Sequence, residues 1–586
     1  MVCALKYSPE AQKNYLHELD LKMRREAILQ REACEKIWDK PIDERVRDGY
    51  ALGPLKVAKV SSKVVILSQV DHTADLAECR FREGDLVRLS QDSPRDPIGK
   101  FMFMGEDHDG IQLHWQHGSK PAVSDHAWIV DQDHVDLTDL CAKAIEALAA
   151  SERGRNFILP LLMGNLEATL DAESYEQTLL DLESNSTQRA WHDSQKEAIA
   201  ACVASDLCYL VQGPPGTGKT LVLSEVVHRL IEKGERVLIT GPTHRAINHA
   251  LGAVRKLLGS TVRVVKIGLP PIEEFSFECH ENFLTCGLPE CGDPYVVGAT
   301  PFALWSARSG LVQSEFDTVL FDEASQITPL LAIMAMMRGQ RWLFFGDDCQ
   351  LPPVVLDDAS TDRARSIFGQ LKNRGFDTLL EESWRLSGPL AEWPSAVFYG
   401  NRLKARHALQ LLLEPVPTQQ ALWANPAICL IECSSSGTET VRSNQEAQCV
   451  VGLIREAVQL GMMPQQIGVV VPFRAHAARI RQLLGISDSG MQLRRRIVVD
   501  TVERFQGQER DLIIVSTAAA HQPFIHQRAD FLFQAERWNV SVTRARLKTI
   551  VIAAKNLLEC ADSMTSYHRG AQVFSSLVAH LRHHAR

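Results

Sequence analysis

One short segment of the chain has the residue types and the spacing of a phosphate-binding loop. The segment consists of Gly213, Pro214, Pro215, Gly216, Thr217, Gly218, Lys219 and Thr220. Its glycines let backbone N–H groups turn toward phosphate oxygens, and the predicted helix that follows adds a favourable dipole. Such a loop follows a buried strand, and residues 207–212 have the composition of one. We therefore expect Lys219 to contact the β- and γ-phosphates of ATP and Thr220 to ligate Mg²⁺.

Two acidic residues could supply a further metal ligand and a catalytic base. Asp322 and Glu323 come directly after the apolar run Val319–Phe321. We expect Asp322 to ligate Mg²⁺ and Glu323 to orient and deprotonate the attacking water. The alternative is that both acids only cap the helix that follows.

A neutral amide follows the next apolar run. Gln350 comes after Trp342–Phe345 and is followed by the rigid pair Pro352 and Pro353. In an open α/β sheet the carboxyl ends of the strands face the ligand. Gln350 could therefore bridge the γ-phosphate and the attacking water.

The elements that must position these residues alternate between apolar strands and helical segments. Continuous apolar strands between helices predict parallel sheets covered on both faces, and two sets of strands predict two α/β domains. The first set is Leu207–Gly213, Arg236–Pro242, Tyr295–Thr300, Thr318–Ala324 and Trp342–Asp347. The second set is Ala427–Cys433, Ile467–Phe473, Arg496–Val502, Leu512–Ala518 and Thr549–Ala554. Upstream, a charged helix, a β-rich stretch of about 80 residues and a return to helical spacing predict a small β-barrel between helices.

These blocks, in this order, resemble the superfamily 1 helicases, and specifically the Upf-like group of superfamily 1B. Further motifs of the group match over about residues 190 to 555. They are Ser194-Gln195, Gly241–Ala246, Gly298–Thr300, Glu382–Arg385, Val470–Phe473, Thr501–Glu509 and Trp538–Arg546. The resemblance implies two tandem RecA-like P-loop domains with an N-terminal helical stalk and an inserted barrel. The implied limits are 1–54 for the stalk, 55–136 for the barrel, 137–186 for the return helices, 187–387 for the first RecA-like domain with a short insertion at about 252–294, and 388–586 for the second.

The resemblance also implies roles for individual residues. Nucleotide binding would involve Gln195, Trp384, Gly507 and Glu509, in addition to the phosphate-binding loop. Arg385 and Arg544 would be arginine fingers that neutralise charge in the transition state of phosphoryl transfer. The alternative for each arginine is a surface salt bridge. Contacts to a nucleic-acid strand would come from Pro242, Thr243, His244, Thr300, Pro472 and Thr501.

Four residues depart from the pattern of the group. Trp384 stands where the group usually has Tyr, and it should still stack on adenine. Ser383 replaces Gln, His244 replaces Asn, and Glu503 replaces Asp. The last two lie in strand-contacting motifs, so these departures bear on substrate preference more than on the use of ATP.

The favoured interpretation is an ATP-dependent helicase or translocase that acts on single-stranded DNA or RNA, moves 5′ to 3′ and hydrolyses ATP between two RecA-like domains. A second class is a nucleic-acid-stimulated ATPase that remodels nucleoprotein complexes without separating strands. Both classes share every motif above. A catalytically inactive scaffold is disfavoured because Lys219, Glu323 and Arg544 are all present. The choice between DNA and RNA stays open, since reading the 2′-hydroxyl depends on local contacts.

The composition is that of an ordinary globular protein. The chain has 586 residues, of which 45% are hydrophobic and 23% charged, and no apolar run has the roughly 20 residues of a membrane helix. No apolar signal segment begins the chain, and 14 cysteines are too sparse for a disulfide framework. We expect a soluble, cytoplasmic monomer with reduced thiols. A net charge of −9 argues against binding nucleic acid over the whole surface but not against a local basic channel.

One cysteine-rich cluster raises the question of zinc. Cys279, His280, Cys286 and Cys291 offer four soft ligands. Their spacing is not that of paired C-x2-C motifs, so an irregular loop is the favoured interpretation.

Overall fold

The computed structural model describes residues 9–69, 79–107, 110–134, 136–184, 189–269, 275–288, 292–357, 365–407, 427–485, 493 and 496–584. The chain divides into two compact units. The first comprises Met1–Gln212, Lys219–Asp347 and Pro352–Thr378. The second comprises Gly213–Gly218, Asp348–Leu351 and Leu379–Arg586, so the six residues before Lys219 group with the later part of the chain.

The first unit begins with a long helix and a closed barrel, as predicted. The N-terminal helices are α1 (Pro9–Trp38) and α2 (Ile42–Arg47). Six antiparallel strands then close into a barrel of order β1-β2-β5-β4-β3-β6. They are β1 (Ala51–Val60), β2 (Val64–Gln69), β3 (Leu86–Ser90), β4 (Gly99–Asp107), β5 (Gly110–Gly118) and β6 (Ser124–Gln132). Inward side chains such as Leu55, Val57, Leu67 and Phe101 form its core, because successive residues of a strand point to opposite faces.

A buried ion pair and a cation–π contact join the barrel to the N-terminal helices. Arg45 after α1 donates to Asp131 of β6 at 2.8 Å, and Arg88 of β3 donates to Asp133 at 2.6 Å. The Arg88 guanidinium also lies 3.6 Å from the ring centre of Trp38, the last residue of α1. Buried charges of this kind are destabilising unless they are paired, so the two elements are held in one arrangement. The chain then returns through α3 (Thr138–Ala150), a π-helical turn at Gly154–Ile158, α4 (Leu159–Leu162) and α5 (Ala172–Ser184).

An eight-stranded sheet forms the centre of the first unit. Its order is β10-β9-β11-β8-β12-β13-β7-β14, and the seven strands from β10 to β7 are mutually parallel. The strands are β7 (Cys208–Gln212), β8 (Val237–Thr240), β9 (Arg263–Ile267), β10 (Glu278–His280), β11 (Tyr295–Gly298), β12 (Phe316–Phe321), β13 (Gly339–Gly346) and β14 (Asp377–Leu379). The helices are α6 (Asp193–Ala204), α7 (Lys219–Glu232), α8 (His244–Leu258), α9 (Pro329–Met336) and α10 (Ile367–Leu371). Every residue of β7, β8 and β11 is buried, which explains their continuous apolar sequences.

Three strands of this sheet, β9, β10 and β14, were not predicted from the sequence. The stretch at about 252–294, expected to be a short insertion, contains the end of α8 and the strands β9 and β10. β9 pairs with β11 and β10 pairs with β9, so this stretch extends the sheet. The barrel also contacts this part of the first unit, since Lys63 forms an ion pair with Glu281 and Arg308 donates to Gln116 at 3.3 Å.

The second unit contains a five-stranded parallel sheet of order β17-β21-β20-β18-β19. The strands are β17 (Ile428–Cys433), β18 (Ile467–Val471), β19 (Val498–Thr501), β20 (Arg510–Ser516) and β21 (Ala545–Ala554). A separate pair of parallel strands, β15 (Glu382–Ser387) and β16 (Lys404–His407), lies before it in the chain. The helices are α11 (Gly388–Phe398), α12 (Asn444–Gln459), α13 (Arg474–Leu484), α14 (Val502–Phe505), α15 (Gln522–Gln527), α16 (Ala529–Leu532), α17 (Ala535–Val542), α18 (Lys555–Met564) and α19 (Arg569–His584). Two hydrophobic clusters pack against the sheet, as a doubly covered parallel sheet requires.

The α/β architecture and the inserted barrel therefore agree with the predicted fold class. Among the described residues, no helix has the combination of length and apolar character that crossing a membrane requires. No disulfide joins the cysteines in the part of the chain that the structure describes.

Candidate functional site

The phosphate-binding loop has the backbone conformation that its glycines allow. Gly216 and Gly218 have φ of 77° and 81°, in the region that favours glycine. A Cβ on Gly216 would lie 2.4 Å from the Cβ of Arg385 and 2.7 Å from the Oγ of Ser383, so no larger residue fits there. The loop is closed internally by the Thr217 hydroxyl, which donates to the carbonyl of Pro214 at 2.8 Å. It runs directly into Lys219, the first residue of α7.

Lys219 contacts both the predicted metal ligand Asp322 and the predicted base Glu323. Its ammonium nitrogen lies 2.6 Å from a carboxylate oxygen of Glu323 and 3.2 Å from one of Asp322. Both acids follow β12, and β13 alone separates that strand from β7 in the sheet. Parallel neighbouring strands bring their carboxyl ends to the same edge, which explains how residues a hundred positions apart meet.

The local electrostatics keep the lysine charged. Burial disfavours the ammonium, but Asp322 and Glu323 outweigh this effect and raise the pKa of Lys219. Burial also raises the pKa of Asp322, while Lys219 acts to lower it. Glu323 has φ of 52°, an unusual conformation for a residue with a side chain and one that often marks a functional position. Gln326, which the sequence analysis did not single out, donates to Glu323 at 3.1 Å and fixes its second oxygen.

The residues suit a magnesium nucleotide. Asp322 offers a buried carboxylate, and Thr220 offers a hydroxyl one residue after Lys219; oxygen donors of this kind are what Mg²⁺ prefers. The charged Lys219 and the N-terminus of α7 favour the phosphates. This donor set fits the predicted pair of ATP and Mg²⁺.

Gln350 and the predicted arginine finger Arg544 come together in the second unit. Arg544 is only 2% exposed, and its Nη2 lies 3.4 Å from the Oε1 of Gln350. Its Nε donates to the carbonyl of Val540 at 3.0 Å, which holds the side chain against the preceding helix α17. A second hydrogen bond connects the same two segments: the side-chain amide of Asn539 donates to the carbonyl of Cys349 at 2.8 Å.

The second predicted finger, Arg385, pairs with Glu509. The Nε of Arg385 donates to the Glu509 carboxylate at 2.6 Å, and its Nη1 lies 3.4 Å from the carbonyl of Thr543. Burial lowers the pKa of Arg385, and Glu509 acts in the opposite direction. Gly507, in the same motif as Glu509, has φ of 76°. The structure thus joins three motifs that are far apart in the sequence.

The two residues expected to recognise the base differ in exposure. Trp384 is 44% exposed, and its backbone N–H donates to the carbonyl of Gly216 at 2.8 Å. The guanidinium of Arg406 lies 3.9 Å from the Trp384 ring centre and stacks on one face of the ring. Gln195 is buried in the first turn of α6, where its side-chain Oε1 accepts from the backbone N–H of His192 at 3.1 Å.

The strand-contact candidates of the first unit follow two neighbouring strands. Pro242 and Thr243 come after β8, and Thr300 comes after β11, which pairs directly with β8. Each threonine hydroxyl accepts a backbone N–H three residues later, from Ala246 or Ala303. Their positions at one edge of the sheet fit a common binding surface.

His244 has a different environment from the two threonines. Burial, with Lys266 as a smaller contribution, lowers the pKa of its imidazole to about 4, so the side chain is neutral at neutral pH. It packs against Gly84 of the barrel, whose added Cβ would lie 2.8 Å from the imidazole Cδ2. The structure therefore gives His244 a packing contact in addition to its predicted place in the strand site.

The second unit repeats this arrangement. Pro472 follows β18 and Thr501 ends β19, and these two strands pair in parallel. Glu503, one of the departures from the group, holds Arg537 through a contact of 2.5 Å. The sequence analysis missed this pairing because the two residues are 34 positions apart and only the fold brings them together.

The zinc hypothesis gains no support from the described ligands. Cys291 lies outside the described residues. Of the other three, His280 pairs with Glu278 at 3.3 Å and the thiol of Cys286 faces the carbonyl of Phe283 at 2.9 Å. Within the described ranges, these three side chains do not converge on a common metal position.

Two family models, each described as an AAA domain, match the chain. One matches residues 190–285 and 296–358, and the other matches residues 363–556. The chain is 24% identical over 482 residues to the DNA replication ATP-dependent helicase/nuclease DNA2 of Saccharomyces cerevisiae, covering 74% of this chain and 30% of that protein. It is 26% identical over 407 residues to the ATP-dependent helicase NAM7 of the same yeast, covering 62% and 41%. It is 26% identical over 417 residues to regulator of nonsense transcripts 1 of Caenorhabditis elegans, covering 63% and 38%.

The chain thus spans less than half the length of each of these curated relatives. A solved structure of the Arterivirus nonstructural protein 10 helicase covers 91% of this chain and 82% of its own, with a TM-score of 0.40 and 12% identity. The two AAA-domain matches together span the motifs from the phosphate-binding loop to Arg544. With these matches and these helicase relatives, the chain belongs to the Upf-like group of superfamily 1B helicases.

Proposed function

We propose that this protein uses Mg²⁺-ATP to move 5′ to 3′ along single-stranded DNA or RNA and to separate strands ahead of it, with both α/β units acting as RecA-like domains. One observation carries the proposal. The single sheet edge that presents Lys219, Asp322 and Glu323 continues through β8 and β11, which are followed by Thr243 and Thr300. The candidate hydrolytic site and the candidate strand site are therefore built on neighbouring strands of one rigid sheet.

Each residue of the hydrolytic site has a role in this proposal. Lys219 neutralises and orients the phosphates, and Thr220 with Asp322 would hold Mg²⁺, which neutralises charge on the phosphate oxygens. Glu323, fixed by Gln326, accepts a proton from the attacking water. Arg385 and Arg544 supply positive charge to the transition state, and Gln350 stays beside Arg544 to report whether the γ-phosphate is present.

The coupling to movement follows from the same arrangement. A change at the carboxyl end of β12 passes directly to β8, because the two strands are paired over Thr318–Phe321 and Val237–Thr240. Hydrolysis would therefore alter the grip of Thr243 and Thr300 on the strand backbone. Contacts to the backbone carry no base information, so we expect binding with little sequence preference.

The direct test uses duplexes that carry a single-stranded tail at one end only. We expect displacement from a 5′ tail and none from a 3′ tail, in DNA and RNA versions compared side by side, with Glu323→Gln as the inactive control. Displacement only from a 3′ tail would overturn the polarity. ATPase activity stimulated by single strands, without displacement from either tail, would favour the remodelling ATPase. Sedimentation of the protein with a short oligomer tests the further expectation of a monomer.

A further inference from the structure

Three phenylalanines of the second unit lie where strand-contacting residues are expected. Phe473 directly follows Pro472 at the end of β18, while Phe524 and Phe531 lie on α15 and α16 after β20. Since β18 and β20 pair in parallel, all three residues come from the same edge of the sheet. They are half-buried, whereas the nearby Phe533 is fully buried in the core. Core packing explains why position 533 is a phenylalanine. The other three rings are each partly exposed at the surface.

The rings and one guanidinium form a stacked column. Phe473 and Phe531 are 5.4 Å apart between ring centres at an angle of 23°, and Phe524 lies 5.8 Å from Phe473. On the far side, the guanidinium of Arg537 lies 4.1 Å from the centre of Phe531. The column therefore runs from the Arg537 guanidinium at one end, through Phe531, to the ring of Phe473 at the other end.

Two contacts of Arg537 hold the column in place. Arg537 donates to Glu503 at 2.5 Å and to Gln534 at 2.8 Å, so its planar group cannot rotate freely. Glu503 stands two residues after Thr501, and the pocket beside the column is lined by Pro472, Phe531 and Arg537. The column is therefore rigid and continuous with the two predicted backbone contacts of this unit.

We propose that Phe473 is a stacking platform for one base of the bound single strand, with Phe531 and Arg537 as the positioning residues behind it. The ligand is the base of a single-stranded nucleic acid; every base has a flat face, so stacking adds affinity without sequence preference. This inference rests on the proposed function, because it assigns an additional contact to the same strand. Backbone contacts by Pro472 and Thr501 and a base contact by Phe473 would together hold one nucleotide from two sides.

The test compares an ordinary oligomer with an abasic oligomer of the same length, which keeps the sugars and phosphates. Phe473→Leu preserves much of the apolar volume but removes the flat ring, and Phe473→Trp restores a ring. We expect Phe473→Leu to weaken binding of the ordinary oligomer about tenfold or more, and to leave binding of the abasic oligomer within twofold of the unaltered protein. Phe473→Trp should bind the ordinary oligomer as well as the unaltered protein does.

Controls separate stacking from other effects. Tyr567→Leu removes an aromatic ring that is 73% exposed elsewhere in the unit and should change neither affinity. Losing a stack should leave the dependence of affinity on salt unchanged, because no phosphate contact is lost. Equal losses for both oligomers in Phe473→Leu, or no loss at all, would overturn the stacking contact while leaving the proposed function intact. Failure of the unaltered protein to bind either oligomer would overturn the proposed function itself.

Discussion

The ammonium nitrogen of Lys219 lies 2.6 Å from a carboxylate oxygen of Glu323, so two groups assigned to different steps of hydrolysis form one partly buried ion pair. The pairing follows from sheet order, since β7 and β12 end at the same edge. The Glu323 carboxylate is held by Gln326 as well as by Lys219, and the Glu323 backbone has a φ of 52°.

Separating these two roles is the first prediction. Lys219→Ala should weaken ATP binding, because the phosphates lose a buried positive charge. Glu323→Gln should retain ATP binding and lower turnover by orders of magnitude, because an amide cannot accept the proton. Binding of a fluorescent ATP analogue and steady-state hydrolysis measure the two effects. Near-normal turnover in Glu323→Gln would exclude Glu323 as the base.

The second prediction concerns Arg544, which is almost fully buried beside Gln350. Arg544→Ala should reduce kcat by roughly a thousandfold, as is typical for the loss of an arginine finger. Since Arg544→Ala also leaves a cavity, thermal unfolding should be measured in parallel, and Arg544→Lys should keep the fold while restoring little activity. Loss of ATP affinity with normal turnover at saturation would make Arg544 a binding residue only.

The third prediction tests the ion pair between Arg385 and Glu509. If Glu509 holds Arg385 in its active position, Glu509→Gln should lower kcat about tenfold, with a smaller effect on ATP affinity. Arg385→Ala should have the larger effect, because it removes the charge itself. Glu432→Gln, in a surface ion pair with Arg582 at 2.8 Å, is the matched control and should be silent. A Glu509→Gln enzyme with unchanged kcat would show that the pair is only structural.

Contiguous motifs and strongly periodic elements could be predicted from the sequence. The stalk helix Pro9–Trp38 and the barrel strand Val64–Gln69 lie where the sequence predicts a charged helix and a β-rich stretch, because each carries its own pattern of apolar residues. β10 was missed because its three residues, Glu278–His280, form an edge strand with no apolar pattern. β9 was missed in part because Lys266 is buried within it, against the usual rule for lysine.

The residue pairs within the site were harder to predict from the sequence than the motifs were. The sequence motifs single out Arg385, Glu509 and Glu503, but only the fold shows which residues pair. Arg385 lies 2.6 Å from Glu509, and Arg537 lies 2.5 Å from Glu503. The column of Phe473, Phe531 and Arg537 likewise joins two connections that only the sheet order makes neighbours. A pattern of residues along the sequence indicates contacts within one helix or strand. These contacts join residues of different helices, strands and loops, so no such pattern predicts them.

The fourth prediction concerns the strand backbone. For single strands the logarithm of the binding constant should fall linearly with the logarithm of salt concentration, by about 0.7 for each phosphate neutralised. Thr300→Val removes a neutral hydroxyl contact and should lower affinity without changing that slope. Fluorescence anisotropy with labelled oligomers between low and moderate salt measures both quantities. Affinity that is independent of salt and strongly dependent on sequence would contradict backbone binding.

The last prediction concerns the contact between Gly84 of the barrel and His244 at the start of α8. Gly84 has φ of 95°, and an added Cβ would lie 2.8 Å from the imidazole Cδ2, so Gly84→Ala must both strain the backbone and push the imidazole away. Gly234 is the matched control, because its φ of 84° is similar but nothing lies within 4 Å of an added Cβ. Gly234→Ala should therefore carry only the backbone strain, about 1–2 kcal/mol.

If the barrel is held in place by packing against His244, Gly84→Ala should lower the unfolding temperature more than Gly234→Ala does. Gly84→Ala should also weaken binding of the nucleic-acid strand, while the affinity for ATP stays unchanged. The double variant Gly84→Ala/His244→Ala should be less destabilised than the sum of the single variants, with a coupling of about 0.5–3 kcal/mol, because the smaller side chain makes room for the Cβ.

The burial of His244 also makes the stability of the protein depend on pH. The folded pKa of His244, about 4, lies below its usual 6.5, so the unfolded chain binds more protons and this contribution to stability is lost as pH falls from about 6.5 through about 4. Equal effects of the two glycine substitutions, with no coupling to His244, would mean that the barrel is held elsewhere and that His244 is free to serve the strand site alone.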